Sequence, residues 1–327
     1  MKIEDILKQI TPEARKREIE KINKVKLPSE SEKWVSKYSK IGEREKYLWL
    51  WAYESIQIVT LSSVDSRFYN SLWKLKLLIV MFITLIDDVA DEMQNEILLD
   101  EMQKVCFRNK EIRYNHLTSK EREYLEFTIL IWKNINISIK KYPRFNEFKD
   151  IWEFDICQTL NTMKYACLIN KNTYLINEIE YWAYFPNNIQ FVLSGTIDLM
   201  CSSKFKVNQD AWKIREISWR AQKIAQAMNW ITTWEREIKK RDFSSGVFAH
   251  AIKEGVLEIA DLDKKNIFPI IKKIKDANIE NIIIKRCNQD YSEIKKLEND
   301  VESVDIKEYL IGLRKYIKCQ LISRGNY

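Results

Sequence analysis

Two short clusters hold the residues of this chain whose types and spacing suit chemistry. The first is DDVADE, which places Asp87, Asp88, Asp91 and Glu92 within six positions. On a helix Asp87 and Asp91 stand one turn apart on one face, with Asp88 about 100° round from Asp87. Like charges this close repel, and a buried carboxylate without a partner is costly. The nearest lysines before them, Lys74 and Lys76, lie more than two turns away. Oxygen donors with no His or Cys nearby suit a hard cation, Mg²⁺ or Mn²⁺, and Mg²⁺ usually shares its shell between one or two carboxylates and substrate phosphates. The same residues on an exposed helix end would simply face water. The second cluster, NWITTWERE, spaces Asn229, Thr233 and Glu237 at i, i+4 and i+8, another oxygen-donor stripe, with Arg236 and Lys240 beside it to meet an anion. Alone, this reads more readily as a polar stripe on a surface helix than as a site.

The elements that must position these residues are helical. Gly and Pro number only six and five in 327 residues, far too few for a turn-rich β protein. Leu77 to Ile86 is a run broken only by Thr84, about half of what a bilayer span needs, so it reads as a buried helix with its acidic end at the mouth of something apolar. Apolar periodicity predicts ten to twelve helices and no strand. Thr11-Pro12 reads as an N-cap followed by an N1 proline. A helix over 175–201 contains Pro186 and Gly195, where a break or kink is expected. No polar linker divides the pattern, so the expectation is one all-α domain, 1–327.

The net charge of +7 comes from 54 basic and 47 acidic residues, mostly interspersed. The short basic runs Arg15–Arg17 and Lys272–Lys275 read as solvated faces, and no aromatic–basic array points to nucleic acid. Six well-spaced cysteines without a CxxC read as reduced thiols, and the charged N-terminus is unlike a signal peptide, so a cytoplasmic location is expected.

Together the two clusters, 138 positions apart, resemble the paired metal-binding motifs of the class I terpene synthases of microbial type. That family carries an aspartate-rich motif on one helix and an Asn-Asp-x-x-Ser/Thr-x-x-Lys/Arg-Glu motif on a facing helix. RDFSSGVFAHAIKEG from Arg241 and the closing YLIGLRKYIKCQLISRGNY from Tyr309 extend the likeness over most of the chain. It implies a single-domain helical bundle around a central apolar cavity and three Mg²⁺ ions binding an isoprenyl diphosphate. Asp87, Asp88 and Asp91 would ligate or support on one side and Asn229, Thr233 and Glu237 on the other. Arg236, Lys240, Arg324 and Tyr327 would bind diphosphate. Phe82, Trp152, Trp182, Tyr184, Phe185 and Trp230 are candidates to line the cavity and stabilise carbocations, or simply to pack the core. The implied activity is a lyase that ionises farnesyl or geranylgeranyl diphosphate and cyclises the cation, in an assembly that includes homodimers among similar proteins. A chain-elongating isoprenyl diphosphate synthase and a non-catalytic helical isoprenoid-binding protein are the alternatives. Three departures stand out: Trp230 replaces the family's Asp after the Asn, its diphosphate-sensing arginine falls on Ala183, and its Arg-Tyr end is only approximated by SRGNY.

Overall fold

A computed structural model describes residues 2–107 and 110–324. The described residues form an all-α single-domain bundle with no β-sheet. Six helices position the cavity: α1 (Lys46–Ile58), α2 (Tyr69–Asp87), α3 (Phe145–Lys171), α4 (Phe191–Met200), α5 (Val207–Glu237) and α6 (Ile306–Ile322). They close a ring in which α1 packs on α2, α2 on α4, α4 on α5, α5 on α6 and α6 back on α1, while α3 backs α4. Among the described residues there are sixteen α-helical segments, more than expected, because short ones such as Ile3–Leu7 and Ile259–Leu262 carry too few residues to show a period. A helix expected near 289–299 begins ten residues earlier, in Ile279–Lys296, packed along α5.

Local signals explain the element ends. Thr11 caps Pro12–Asn23 by accepting from the Ala14 N–H at 3.2 Å, and Thr118 with Glu121 forms a reciprocal capping box at Ser119–Ile139. The expected break in 175–201 falls at Pro186: the helix Glu178–Tyr184 gives way to a 3₁₀ turn, Phe185–Asn188, and Gln190 takes φ 67° before α4 starts. Gly195 does not kink α4; it lets the helix approach Ser218 of α5, where a Cβ would come within 3.1 Å of the hydroxyl oxygen. The residues after α2 form a π turn, Asp88–Glu92, with the Met93 N–H reaching back to the Asp88 carbonyl at 2.9 Å. Such wide turns cost regular bonding and concentrate at functional positions. Among the described residues no helix is long and apolar enough to cross a membrane. The six cysteines are free thiols.

The ring closes tightly where α6 crosses α1. A Cβ on Gly312 would lie 2.2 Å from the Ile58 carbonyl oxygen, a backbone atom with no rotamer by which to yield. Gly312→Ala is therefore expected to destabilise the fold by about 1–3 kcal/mol, measured by urea unfolding. An unchanged midpoint would mean that the α1–α6 crossing is looser than described.

Candidate active site

The ring encloses a cavity of about 230 Å³ with a polar mouth and a mostly apolar body. Helix direction sets its depth. α2 and α5 run towards the mouth and end in the two acidic clusters, whereas α1 and α4 run away from it. Along α2 the lining residues Lys76, Val80, Thr84 and Asp87 form one stripe at helical spacing.

Both clusters reach the mouth. Asp87, Asp91 and Glu92 line it from the α2 end, and Asn229, Thr233, Arg236, Glu237 and Lys240 from the α5 end. The two sides are bridged directly by the Lys240 ammonium, 2.8 Å from Glu92 Oε1. The turn made by Pro186 presents the Asn188 amide to Asp87 Oδ1 at 2.8 Å. Gln320 of α6 donates to Asn229 Oδ1 at 3.2 Å, and the Thr233 hydroxyl bonds the Asn229 carbonyl at 2.8 Å.

Asp88 lies elsewhere. It faces away from the cavity and is held by the Arg44 guanidinium at 2.6 Å and by the Tyr38 hydroxyl at 3.0 Å. Arg324 is drawn off by Glu235 at 2.7 Å and Glu280 at 3.0 Å and does not line the cavity. Tyr327 lies outside the described residues.

Of the six aromatic candidates, Phe185 and Trp230 line the cavity. Phe82 sits two positions off the Val80–Thr84 stripe, well round the helix from it, and packs on Trp132, which stacks on Trp152. Trp182 stands behind Trp230, ring centroids 4.9 Å apart, and donates to His250 Nε2 at 2.9 Å. Tyr184 is 43% exposed. Phe82 was chosen for its nearness to Asp87 and the other three as aromatics of flanking helices; none of the four lines the cavity.

The sequence reading missed two charged residues at the mouth. Arg44, from the loop before α1, meets both Asp88 and Glu92, the latter at 3.3 Å. Asp242 lines the cavity five positions beyond Glu237, after Arg241 reverses the chain at φ 59°; it accepts from the Ser244 N–H at 2.9 Å and from the Asn170 amide at 3.0 Å. The signal was present in RDFSSG, but the Asp lies off the helical spacing used to read the stripe.

Five carboxyl groups (Asp87, Asp91, Glu92, Glu237, Asp242) thus face three basic groups (Arg44, Arg236, Lys240) around the mouth. The electrostatics record the imbalance. Burial, opposed by Arg44 and aided by Asp88, raises Asp87 to about 6. Burial and then repulsion from Asp242, Asp87 and Glu237 hold Asp91 well above the carboxylate range. Burial and Asp242 raise Glu237 to about 8. Glu92 is the exception: burial pushes it up, but Arg44 and Lys240 outweigh that and its pKa is lowered. Asp91 Oδ1 and Glu237 Oε2 are buried with no hydrogen-bond partner.

No family model matches the chain, and no curated protein matches it. Solved structures do. Isoprene synthase from grey poplar leaves (Populus x canescens) superposes with a TM-score of 0.61 at 14% identity, over 93% of this chain and 53% of that one. The same enzyme in complex with three Mg²⁺ ions and dimethylallyl-S-thiolodiphosphate gives 0.63. The fold is class I terpenoid-synthase-like. A linalool/nerolidol synthase from Streptomyces clavuligerus, in complex with 2-fluorogeranyl diphosphate, gives 0.51 at 9% identity over 95% of this chain and 98% of that one. The chain spans about half the length of the poplar synthase, and at these identities the likeness is one of fold alone.

The raised carboxyls have a consequence for stability. Folded Glu237 keeps its proton to about 8, while the unfolded residue releases it near its ordinary value of 4.5, so the folded state binds more protons in between. Stability then falls as pH rises through that window. His250, lowered by burial to about 4, acts oppositely but only below its ordinary 6.5, which leaves pH 6.5 to 8 clear of it. In EDTA the melting temperature should rise on acidifying from pH 8 to 6.5, and Glu237→Gln should raise it at pH 8 and flatten the slope. A melting temperature that is flat in this window, or a destabilised Gln variant at pH 8, would contradict the described electrostatics.

Proposed function

We propose that this protein is a Mg²⁺-dependent terpene synthase that ionises a linear isoprenyl diphosphate, farnesyl or geranylgeranyl, and converts the cation to a terpene hydrocarbon or alcohol. The observation that carries the reading is the mouth itself: two oxygen-donor clusters, far apart in sequence, face one another over an apolar cavity with more buried carboxyl than cation between them. The likeness of fold to synthases solved with diphosphate ligands supports it.

The donors fit a hard divalent ion. They are all oxygens, and Asp91 Oδ1 and Glu237 Oε2 are buried without partners. Among the described residues no three carboxylates, histidines or cysteines form a preformed metal cage. Mg²⁺ does not require one, since substrate phosphates and water usually complete its shell. Asp87 and Asp91 on one side, and Asn229, Thr233 and Glu237 on the other, would hold the ions, with Asp242 as an added carboxylate beside Glu237. Bound Mg²⁺ supplies Lewis-acid neutralisation of the departing diphosphate.

The chain's own residues do the rest. Arg236 and Lys240 present positive charge to the diphosphate. Ala183, the position the resemblance gives to a sensor arginine, has no charge, and Arg44 supplies one from another element: it is a cavity-lining guanidinium already shared between Asp88 and Glu92, so an arriving anion can draw on it. Asp88, bonded to Arg44 and Tyr38, positions that guanidinium. Phe185 and Trp230 offer ring faces to a cation, worth up to about 2 kcal/mol each when desolvated. The apolar wall keeps bulk water from the reactive centre.

Purified protein with Mg²⁺ and farnesyl or geranylgeranyl diphosphate is expected to release terpene products, read by gas chromatography, and EDTA to stop it. Asp87→Ala and Glu237→Ala should each lower turnover on the order of 100-fold or more. Full activity in either variant would remove that residue from the metal site.

A further inference from the structure

The far end of the cavity is not uniformly apolar. Lys76 lies eleven residues before Asp87 on α2, and Gln226 eleven before Glu237 on α5, so both sit about 16 Å below the mouth at 1.5 Å per residue. Ser55, nine residues into the oppositely directed α1, comes to a similar depth. All three line the cavity. They are 3%, 3% and 5% exposed, and Gln226 Oε1 and Ser55 Oγ have no hydrogen-bond partner. Lys76 is ion-paired at 2.6 Å with Asp198 of α4, which is 1% exposed and lies behind it. Buried polar atoms without partners are rare and costly, and two in one cavity, beside an ammonium whose ion pair uses only part of its donor capacity, call for a common ligand.

The donors and acceptors define its chemistry. Lys76 gives N–H donors, Gln226 an acceptor and Ser55 either. A metal is excluded by the ammonium, and an anion is disfavoured because Asp198 already neutralises it. A neutral oxygen with two protons satisfies all three kinds of group. We propose that the floor of this cavity is a water site, and that the water it holds ends the reaction, so that the main product is a terpene alcohol. This rests on the synthase reading above.

The step balances. A lone pair on the water oxygen forms a C–O bond to the cationic carbon, which gains the electron pair. Lys76 first passes a proton to Asp198 Oδ1, which frees the nitrogen lone pair, and that neutral amine takes the proton lost by the oxonium. The products are a neutral alcohol and a neutral Asp198 carboxyl, which returns its proton to solvent after product leaves. Burial, opposed by Lys76, raises the Asp198 pKa, consistent with a carboxyl able to take up that proton. The pairing with Asp198 also leaves the site without net charge, so the floor does not repel a cation as a lone ammonium would.

The test uses the full chain with Mg²⁺ and farnesyl diphosphate in H₂¹⁸O, with products read by gas chromatography–mass spectrometry. The expected result is an alcohol carrying ¹⁸O as the main product. Gln226→Leu and Ser55→Ala each remove an unpartnered polar atom at little steric cost, whereas a Lys76 variant would strand Asp198. In each, the alcohol-to-hydrocarbon ratio should fall about tenfold. Hydrocarbon alone from the unaltered protein, an alcohol whose oxygen is ¹⁶O, or an ¹⁸O alcohol whose share neither variant changes would overturn the water site while leaving the synthase reading standing. No turnover of either isoprenyl diphosphate would remove the synthase reading and this inference with it.

Discussion

Repulsion among buried carboxyls is the constraint around which the mouth of this bundle is built. Asp87, Asp91, Glu237 and Asp242 are brought into one low-dielectric rim, and the protein's own cations do not suffice to neutralise them. Arg44 is divided between Asp88 and Glu92, and Lys240 is taken up by Glu92. The folded chain therefore retains protons where carboxylates are normally bare, and leaves two carboxyl oxygens without partners. A rim in this state favours any ligand that brings divalent positive charge, and an anion large enough to bridge such charges is favoured in turn. Strain stored at a site is held in place by the structure around it. Here that structure is the closed ring of α1, α2, α4, α5 and α6, pinned by contacts such as Gly312 on the Ile58 carbonyl and Gly246 beneath the Trp230 ring, where a Cβ would meet the ring at 2.4 Å.

Much of this was legible in the sequence, for identifiable reasons. The scarcity of Gly and Pro and the long apolar periods predicted an all-α chain, and Pro186 marked the break that now presents Asn188 to Asp87. The i, i+4, i+8 stripe on α5 needs only helix geometry, so the common facing of Asn229, Thr233 and Glu237 could be read directly. What escaped depended on tertiary contacts or on departures from the ideal helix. The π turn over Asp88–Glu92 rotates the acidic cluster relative to a regular helix, and Asp88 turns to Arg44, which lies in a loop with no periodic signal. Asp242 reaches the rim only because Arg241 adopts a left-handed backbone. Phe82 was misread by distance along the chain rather than by angle around the helix: the cavity stripe is Lys76–Val80–Thr84–Asp87, and Phe82 belongs to the face that packs on Trp132.

The two ends of the cavity solve opposite problems. At the mouth, charge is in excess and awaits a counter-ion. At the floor, charge is matched one to one in the Lys76–Asp198 pair, and what is left over is hydrogen-bonding capacity. Between them lies an apolar stretch that neither end can reach. That division of polarity along α2 arises from a single helical stripe, Lys76, Val80, Thr84 and Asp87, with the lysine at one end and the aspartate at the other.

The central claim is that the mouth is a site for divalent cations completed by diphosphate. Calorimetric titration of Mg²⁺ into the protein with inorganic diphosphate present addresses it without any turnover. The expected result is saturable binding of several Mg²⁺ per chain that is much weaker without diphosphate and is lost in Asp87→Asn and in Glu237→Gln. Binding that is indifferent to diphosphate, or that survives both substitutions, would contradict it.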